Sequence, residues 1–300
     1  MSVAIAPGPF GSPSDDGYRR PQVWRAILGT REGRIGVPLG AVMVIVIAVG
    51  RFITPYPPDK IGVAIPGSPP SGEHLLGADG LGRDVLSRLL TGGTSVLVTP
   101  LGAVSVSFLI GGALGLLAAY RGGVTDQLIS RVFDLLLTIP PLLTVLVLLA
   151  SLGRSPLAII LVVGLVFIPW VGCVARGAAQ AVVTHDYVHA AVAHGESTLW
   201  ILRREVLPNV AAPLIGAFSL YLTSGIVFIS TLSFLGLGDQ PPSSSWGLMV
   251  AESRGFLTTN PVATLAPAIG IAAVSVSFML IADAITRHVV RDAGHGQPIL

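Results

Sequence analysis

Long apolar runs alternate with shorter polar stretches along most of the chain. Six runs stand out, at about 37–53, 96–119, 132–152, 157–175, 210–235 and 262–282. The hydrocarbon core of a bilayer, about 30 Å thick, is crossed by roughly 20 helical residues at ~1.5 Å each. The runs therefore predict six membrane-spanning helices. Lipid offers no partner to a bare peptide group, which excludes irregular spans. The first run is short and the fifth is interrupted by polar residues. Pro140-Pro141 predicts a kink near the middle of the third span, and Pro267 one in the sixth. Gly111-x-x-x-Gly115 lets the second span approach a neighbour closely. Three stretches between spans are long enough to have roles of their own: 54–95, 176–209 and 236–261.

Composition agrees with this pattern. Of 300 residues, 52% are hydrophobic and 11% charged, against about 25% charged in a soluble domain. A net charge of +2, spread along the chain, gives no footprint for nucleic acid. Basic residues also set direction, because they accumulate on the cytoplasmic side. With the N-terminus in the cytoplasm, twelve fall inside: Arg19, Arg20, Arg25, Arg31, Arg34, Arg121, Arg131, Arg176, Arg203, Arg204, Arg287 and Arg291. Six fall outside: Arg51, Lys60, Arg83, Arg88, Arg154 and Arg254. Both termini are thus expected in the cytoplasm, with 54–95 and 236–261 outside and 176–209 inside. The chain divides into a tail at 1–34, partly disordered where Gly, Pro and Ser dominate, a six-helix domain at 35–285, and a tail at 286–300. Arginines ahead of the first run mimic a signal peptide, but about 35 mostly polar residues precede that run and further spans follow it. It reads as a retained span.

The residues exclude most chemistry. The only lysine, Lys60, follows no glycine-rich loop, and the glycine-rich stretch Gly77–Gly82 contains no lysine, so no P-loop is present. No Gly-x-Ser-x-Gly elbow and no Cys–His spacing for zinc occur, and the single Cys173 lies in an apolar run. Asp134 and Asp283 are the carboxylates in or at the ends of the spans, and both fall near the cytoplasmic face. An ion-coupled carrier keeps such groups near the midplane. The chain is therefore read as no enzyme, with no catalytic or metal site, and a transporter of this kind draws its energy from another chain.

Within 176–209, Asp186 is expected to cap a helix through Tyr187, Val188, Ala190, Ala191 and Ala193. The small residues make it slim enough to lie in a partner's groove, and Gly195 breaks it. A second helix, Ser197–Val206, carries an apolar stripe of Leu199, Leu202 and Val206, and Pro208 is expected to stop it before the fifth span. An ordinary amphipathic loop at the membrane surface fits these residues as well. The spacing, however, resembles the signature of the membrane subunits of bacterial binding-protein-dependent ABC importers. That signature runs Glu-Ala-Ala, three residues, Gly, nine residues, Ile, one residue, Leu-Pro. Its slots hold His189-Ala190-Ala191, Gly195, Glu205 and Leu207-Pro208. Two slots depart: His189 replaces the acid, and Glu205 the isoleucine. A histidine does not reproduce a fixed carboxylate contact.

A second match narrows the resemblance. His74–Arg88 is similar to the outer segment of the second, C-type permease of dipeptide and oligopeptide importers. So is Leu235-Gly236-Leu237-Gly238, followed by Pro241-Pro242 and Ser245-Trp246-Gly247. The resemblance covers about 35–285. It implies an all-α integral membrane protein with the six-helix type I ABC importer permease fold, in the bacterial plasma (inner) membrane. It implies a heterodimer with a homologous second permease, each forming half of the pathway. Two ATP-binding subunits holding ATP and Mg would work below, and an extracytoplasmic substrate-binding protein above. No cofactor is expected on this chain. Asp186, Tyr187, His189, Ala190, Ala191, Gly195, Leu207 and Pro208 would form the coupling helix and its frame. Gly77 and Gly82 suit tight turns, and Asp79, Arg83 and Asp84 would hold an outer plug or a docking surface. Ser219, Thr223 and Ser224 are expected to line the path. Peptide is the substrate implied. A nickel chelate or haem carried by the same machinery, or an ion-coupled carrier, are the alternatives, and a structural or signalling membrane protein the remaining one.

Overall fold

Several of the long helices begin where a short side chain satisfies a first free amide. In the computed structural model, which describes residues 28–294 and side chains through Arg287, Thr30 Oγ1 accepts from Gly33 N at 3.0 Å to open α1 (Arg31–Gly50). Asp84 Oδ2 accepts from Ser87 N at 2.8 Å to open α2 (Val85–Ser107). Ser155 Oγ accepts from Ala158 N at 3.2 Å at the head of α6 (Pro156–Val182). Of the expected tails at 1–34 and 286–300, residues 1–27 and 295–300 lie outside the described residues, while the first helix already begins at Arg31 and the last runs on to Gly294.

A π-helical turn, Phe108–Gly112, joins α2 to α3 (Ala113–Arg121), so the second span is a 37-residue helix beginning at Val85 rather than at 96. α4 (Gly123–Thr138) and α5 (Pro141–Leu152) follow, and they meet at 88°. The third apolar run is thus two arms and not one kinked rod. The reason is local: neither Pro140 nor Pro141 can donate to a helix, and a residue before proline prefers extended backbone. Ile139 and Pro140 accordingly take ψ of 125°, and Pro141 restarts the helix at its first turn.

After α6 come α7 (Asp186–Ala193) and the short α8 (Thr198–Ile201). A second π-helical turn, Leu202–Val206, connects α8 to α9 (Leu207–Phe234). Pro208 therefore does not stop the helix. Leu207 N bonds Leu202 O, five residues back, just before the proline that lacks an amide. Thr198–Phe234 is one 37-residue helix. α10 (Trp246–Ser253) and α11 (Pro261–Gly294) complete the chain, α11 continuing through Pro267. Among the described residues, five helices are long and apolar enough to cross a membrane, or six if the bent α4–α5 pair counts as one.

The bundle has two ends. α1 lies along α11, α11 along α9 and α10, and α2–α3 along α6. At one end, residues 51–84 and 236–260 fold into a cap. At the other sits the loop of α7 and α8. Between them, α2–α3 and α6 approach to backbone contact. A Cβ on Gly111 would collide with Ile168 O, one on Gly115 with Gly172 O, and one on Gly172 with the Phe133 ring. Ser107 Oγ donates across the same seam to Gly164 O at 2.8 Å. Small residues at such seams are what allows helices to associate in lipid. Replacing Gly115 with leucine is expected to abolish folded, detergent-stable protein, measured as monodisperse yield. Ala113, exposed two residues earlier, is expected to accept leucine with little change.

Candidate functional site

At the loop end, α7 stands on the bundle by one face. Val188 and Ala191 are buried in a cluster with Leu116 and Ala119 of α3, Ala175, Ala179 and Val182 of α6, Ile201, Val206 and Val210. Tyr187, His189, Ala190 and Val192 point outward and are exposed. Asp186 does not cap the helix as expected. His185 occupies the cap position without a side-chain bond, and Asp186 lies in the first turn, where a carboxylate favours the positive end of the helix dipole. The second helix also differs from its expected stripe: Ile201 is the buried anchor beside Val206, while Leu199 is 65% exposed. Leu207 and Pro208 are exposed at the head of α9.

Gly195 turns the chain between α7 and α8 with φ of +79°, and its amide bonds Val192 O at 3.0 Å. No atom lies within 4 Å of where its Cβ would be, so the turn needs glycine for its backbone conformation and not for space. Ser197 Oγ then accepts from Trp200 N at 3.3 Å to start α8. Leu199, Trp200, Arg203 and Arg204 border a surface cleft of about 450 Å³ here. Nearby, Arg176 of α6 makes a two-pronged pair with Asp126, tying α4 to the bundle.

The cap holds charges inside. Asp79 Oδ1 accepts from Leu81 N (2.8 Å) and Arg83 N (3.0 Å), and Oδ2 from Arg83 Nε (2.7 Å) and Arg88 Nη1 (2.6 Å). Both arginines also reach Glu252 Oε2 of α10, each at 2.7 Å. Two carboxylates thus meet two guanidiniums, and Asp79 is 1% exposed. Burial works to raise the Asp79 carboxyl, but the amides of Arg83 and Leu81 and the two guanidiniums outweigh it and hold it below its ordinary value. Asp84 pairs with His74 Nδ1 at 2.9 Å and takes the Ser87 hydroxyl at 2.8 Å. Gly77 and Gly82 turn with φ of +72° and +70°. Asn260 Nδ2 bridges Ser68 O, Leu76 O and Ala78 O, and Trp246 Nε1 donates to Leu89 O at 2.8 Å. Asp79, Arg83 and Asp84 therefore face inward and knit the cap. As side chains they are turned away from any surface a docking protein would touch.

On α9, Ser219, Thr223 and Ser224 each donate to the carbonyl four residues back, at 3.2, 3.1 and 3.1 Å. Ser224 is exposed and the other two are half-buried. These hydroxyls are brought near neither the loop nor the cap.

Comparison with known proteins decides what such an arrangement belongs to. The family described as binding-protein-dependent transport system inner membrane component matches residues 111–293. The chain belongs to this family. It is an inner-membrane transport permease and not an enzyme in its own right. It is 34% identical to the probable D,D-dipeptide transport system permease protein DdpC of Escherichia coli over 81% of this chain and 82% of that one. It is 30% identical to the dipeptide transport system permease protein DppC of Alkalihalophilus pseudofirmus, over 93% of both. A glutathione transport system permease protein of Pectobacterium atrosepticum, GsiD, is 30% identical over 90% of both. In fold, the chain resembles the MetNI methionine ABC transporter in an inward-facing state, with a TM-score of 0.57 and 17% identity over 67% of this chain and 96% of that one.

The permease's matched region begins at Gly111 and so excludes Asp79, Arg83 and Arg88, yet includes Glu252 and Asn260. The cap's ion cluster thus clips a segment outside the family region onto one within it. Arg88, Glu252, His74 and Asn260 were not singled out as site residues from sequence. Their signal was spatial, since Arg83 and Glu252 are 169 residues apart. Removing one member of a buried ion cluster leaves the others uncompensated, at about 3–5 kcal/mol. Asp79→Asn is therefore expected to open the cap, seen as faster proteolysis at 52–84 while the spans stay folded. Because the folded carboxyl is held low, the wild-type protection is present at neutral pH and is lost only as pH falls through that lowered value.

Proposed function

We propose that the permease forms half of a peptide import pathway, with the cap extracytoplasmic and the α7–α8 loop cytoplasmic. The distribution of arginine and lysine supports this orientation. The partner across the pathway is a homologous second permease. Peptide enters from a substrate-binding protein above, and two ATP-binding subunits, holding ATP and Mg, drive the cycle from below. Relatives named for D,D-dipeptide, dipeptide and glutathione transport support a peptide substrate over a nickel chelate or haem.

One observation carries the reading. The loop presents a slim, exposed helix face and is continuous with a span, because α8 runs unbroken through its π-helical turn into α9. A force on α7 reaches α9 through the Gly195 turn and the buried Val188–Ile201–Val206 contacts. Coupling between ATP and solute needs an element that passes a change at one site to the other. α7 is the coupling helix in this reading, with His189 and Ala190 on its partner-facing side and Ala191 on its bundle side. Ser219, Thr223 and Ser224 are the proposed pathway hydroxyls, supported for Ser224 by its exposure among Leu220 and Val227.

Gly195→Val, which forces a branched residue into left-handed backbone, is expected to abolish uptake of labelled dipeptide by the reconstituted transporter while nucleotide binding persists. Full uptake in that variant would remove α7 from the coupling role.

A further inference from the structure

α5 is a short arm with a break at each end. At its start the chain turns through 88°, and Ile139 and Pro140 are extended, so no helical hydrogen bond runs from α4 into α5. At its end Gly153 takes φ of +84° while its amide still bonds Leu149 O at 3.0 Å, and Ser155 opens α6 afresh. No atom lies within 4 Å of where a Gly153 Cβ would be, so this turn needs glycine for its backbone alone. α5 can therefore swing about both ends without breaking a helix.

Its seat is small. Val145 and Leu149 are buried, with Leu148 packed beside them, in a cluster with Ile159 and Val163 of α6 and Ile229 and Leu232 of α9. Leu142, Leu143, Leu146, Val147 and Leu152 stay exposed. In a bilayer such a seat holds weakly, because lipid tails receive leucine and valine about as well as a protein core does. Directional bonds then decide. Among the described residues, α5 and its two breaks make one hydrogen bond to a part of the chain beyond α4 and α6. Arg154 Nη1 donates to Gly236 O at 2.8 Å, across 82 residues. Gly236 lies just past the end of α9, where the helix concentrates partial negative charge.

This bond is made to be released. It is exposed, so water competes for both groups, whereas the Asp79–Arg83–Arg88–Glu252 cluster of the cap is buried and strands an ion when broken. Gln240 Nε2 donates to the same Gly236 oxygen at 3.2 Å, so that oxygen keeps a partner when Arg154 leaves. We propose that α5 is a hinged lid over the cap end of α9, with Arg154 as its latch. Released, α5 swings off Ile229 and Leu232 and opens the bundle at the cap end, while the buried ion cluster stays intact. Lid and latch stand on the geometry; that they open the pathway to arriving solute rests on the import reading above.

Cys173 is the chain's single cysteine, so Cys173→Ser with Leu149→Cys leaves the permease of the reconstituted transporter one thiol, beneath the lid. Adding Arg154→Met, which keeps the side chain's length and removes its donor, is expected to speed alkylation of that thiol about tenfold, the scale of one hydrogen bond to a charged group. Val163→Cys, buried in the same cluster but on α6, is the control and should stay slow with either residue at position 154. Equal labelling of Leu149→Cys with and without Arg154→Met, or an equal gain at Val163→Cys, would overturn the latch. With Arg154 intact, ATP and a binding protein loaded with Ala-Ala are expected to speed labelling of Leu149→Cys as well. A response to Arg154→Met but none to ATP and loaded binding protein keeps the lid and rejects its place in import. A response to ATP and loaded binding protein but none to Arg154→Met keeps the import reading and rejects the latch.

Discussion

Close approach of α2–α3 to α6 is the constraint on which the rest of the permease depends. Lipid tails are as apolar as leucine, so burying one apolar helix against another gains little in a bilayer. What remains is fit. Gly111 and Gly115 remove the side chains that would hold the helices apart, and Ser107 adds a bond across the seam to Gly164 O. That seam fixes both ends at once. It carries Leu116 and Ala119 to the place where α7 is seated, and it carries α2 back to Arg88, where the cap is clipped.

The two ends are held by different physics, and this suits different tasks. The cap is closed by charges buried from water and bonded on nearly every side, an arrangement that tolerates little rearrangement because each broken contact strands an ion. The loop is seated only by small apolar contacts from Val188, Ala191, Ile201 and Val206, with its far face bare. Non-directional contacts of that kind let an element slide or tilt at modest cost.

Much of this was legible in the chain itself. Apolar runs located the spans, and the spacing from His189 to Pro208 located the loop, because both are signals within one stretch of sequence. What escaped lay in continuity and in distance. Helices extend past the apolar runs, as α2 does back to Val85, because Asp84 and the cap satisfy its first turn where hydropathy is silent. Pro208 looked like a stop, yet the π-helical turn before it removes the need for its amide. Pro140-Pro141 gave the opposite error, since two successive prolines produced a corner where one would have produced a bend. At the cap, Arg83 and Asp84 were recognisable as a pattern, but which way they faced depended on Glu252, and no periodicity links positions 169 apart.

The unbroken helix from Thr198 to Phe234 has a mechanical consequence. Its 37 residues amount to a shaft roughly 55 Å long at ~1.5 Å per residue. Rotating such a shaft by about 5° around one end sweeps the other through roughly 5 Å, close to the rise of one helical turn. A displacement at the loop too slight to break any hydrogen bond thus arrives at Phe234 and the cap as a change of a whole side chain's width. The lever arm, and not the strength of any contact, sets that gain.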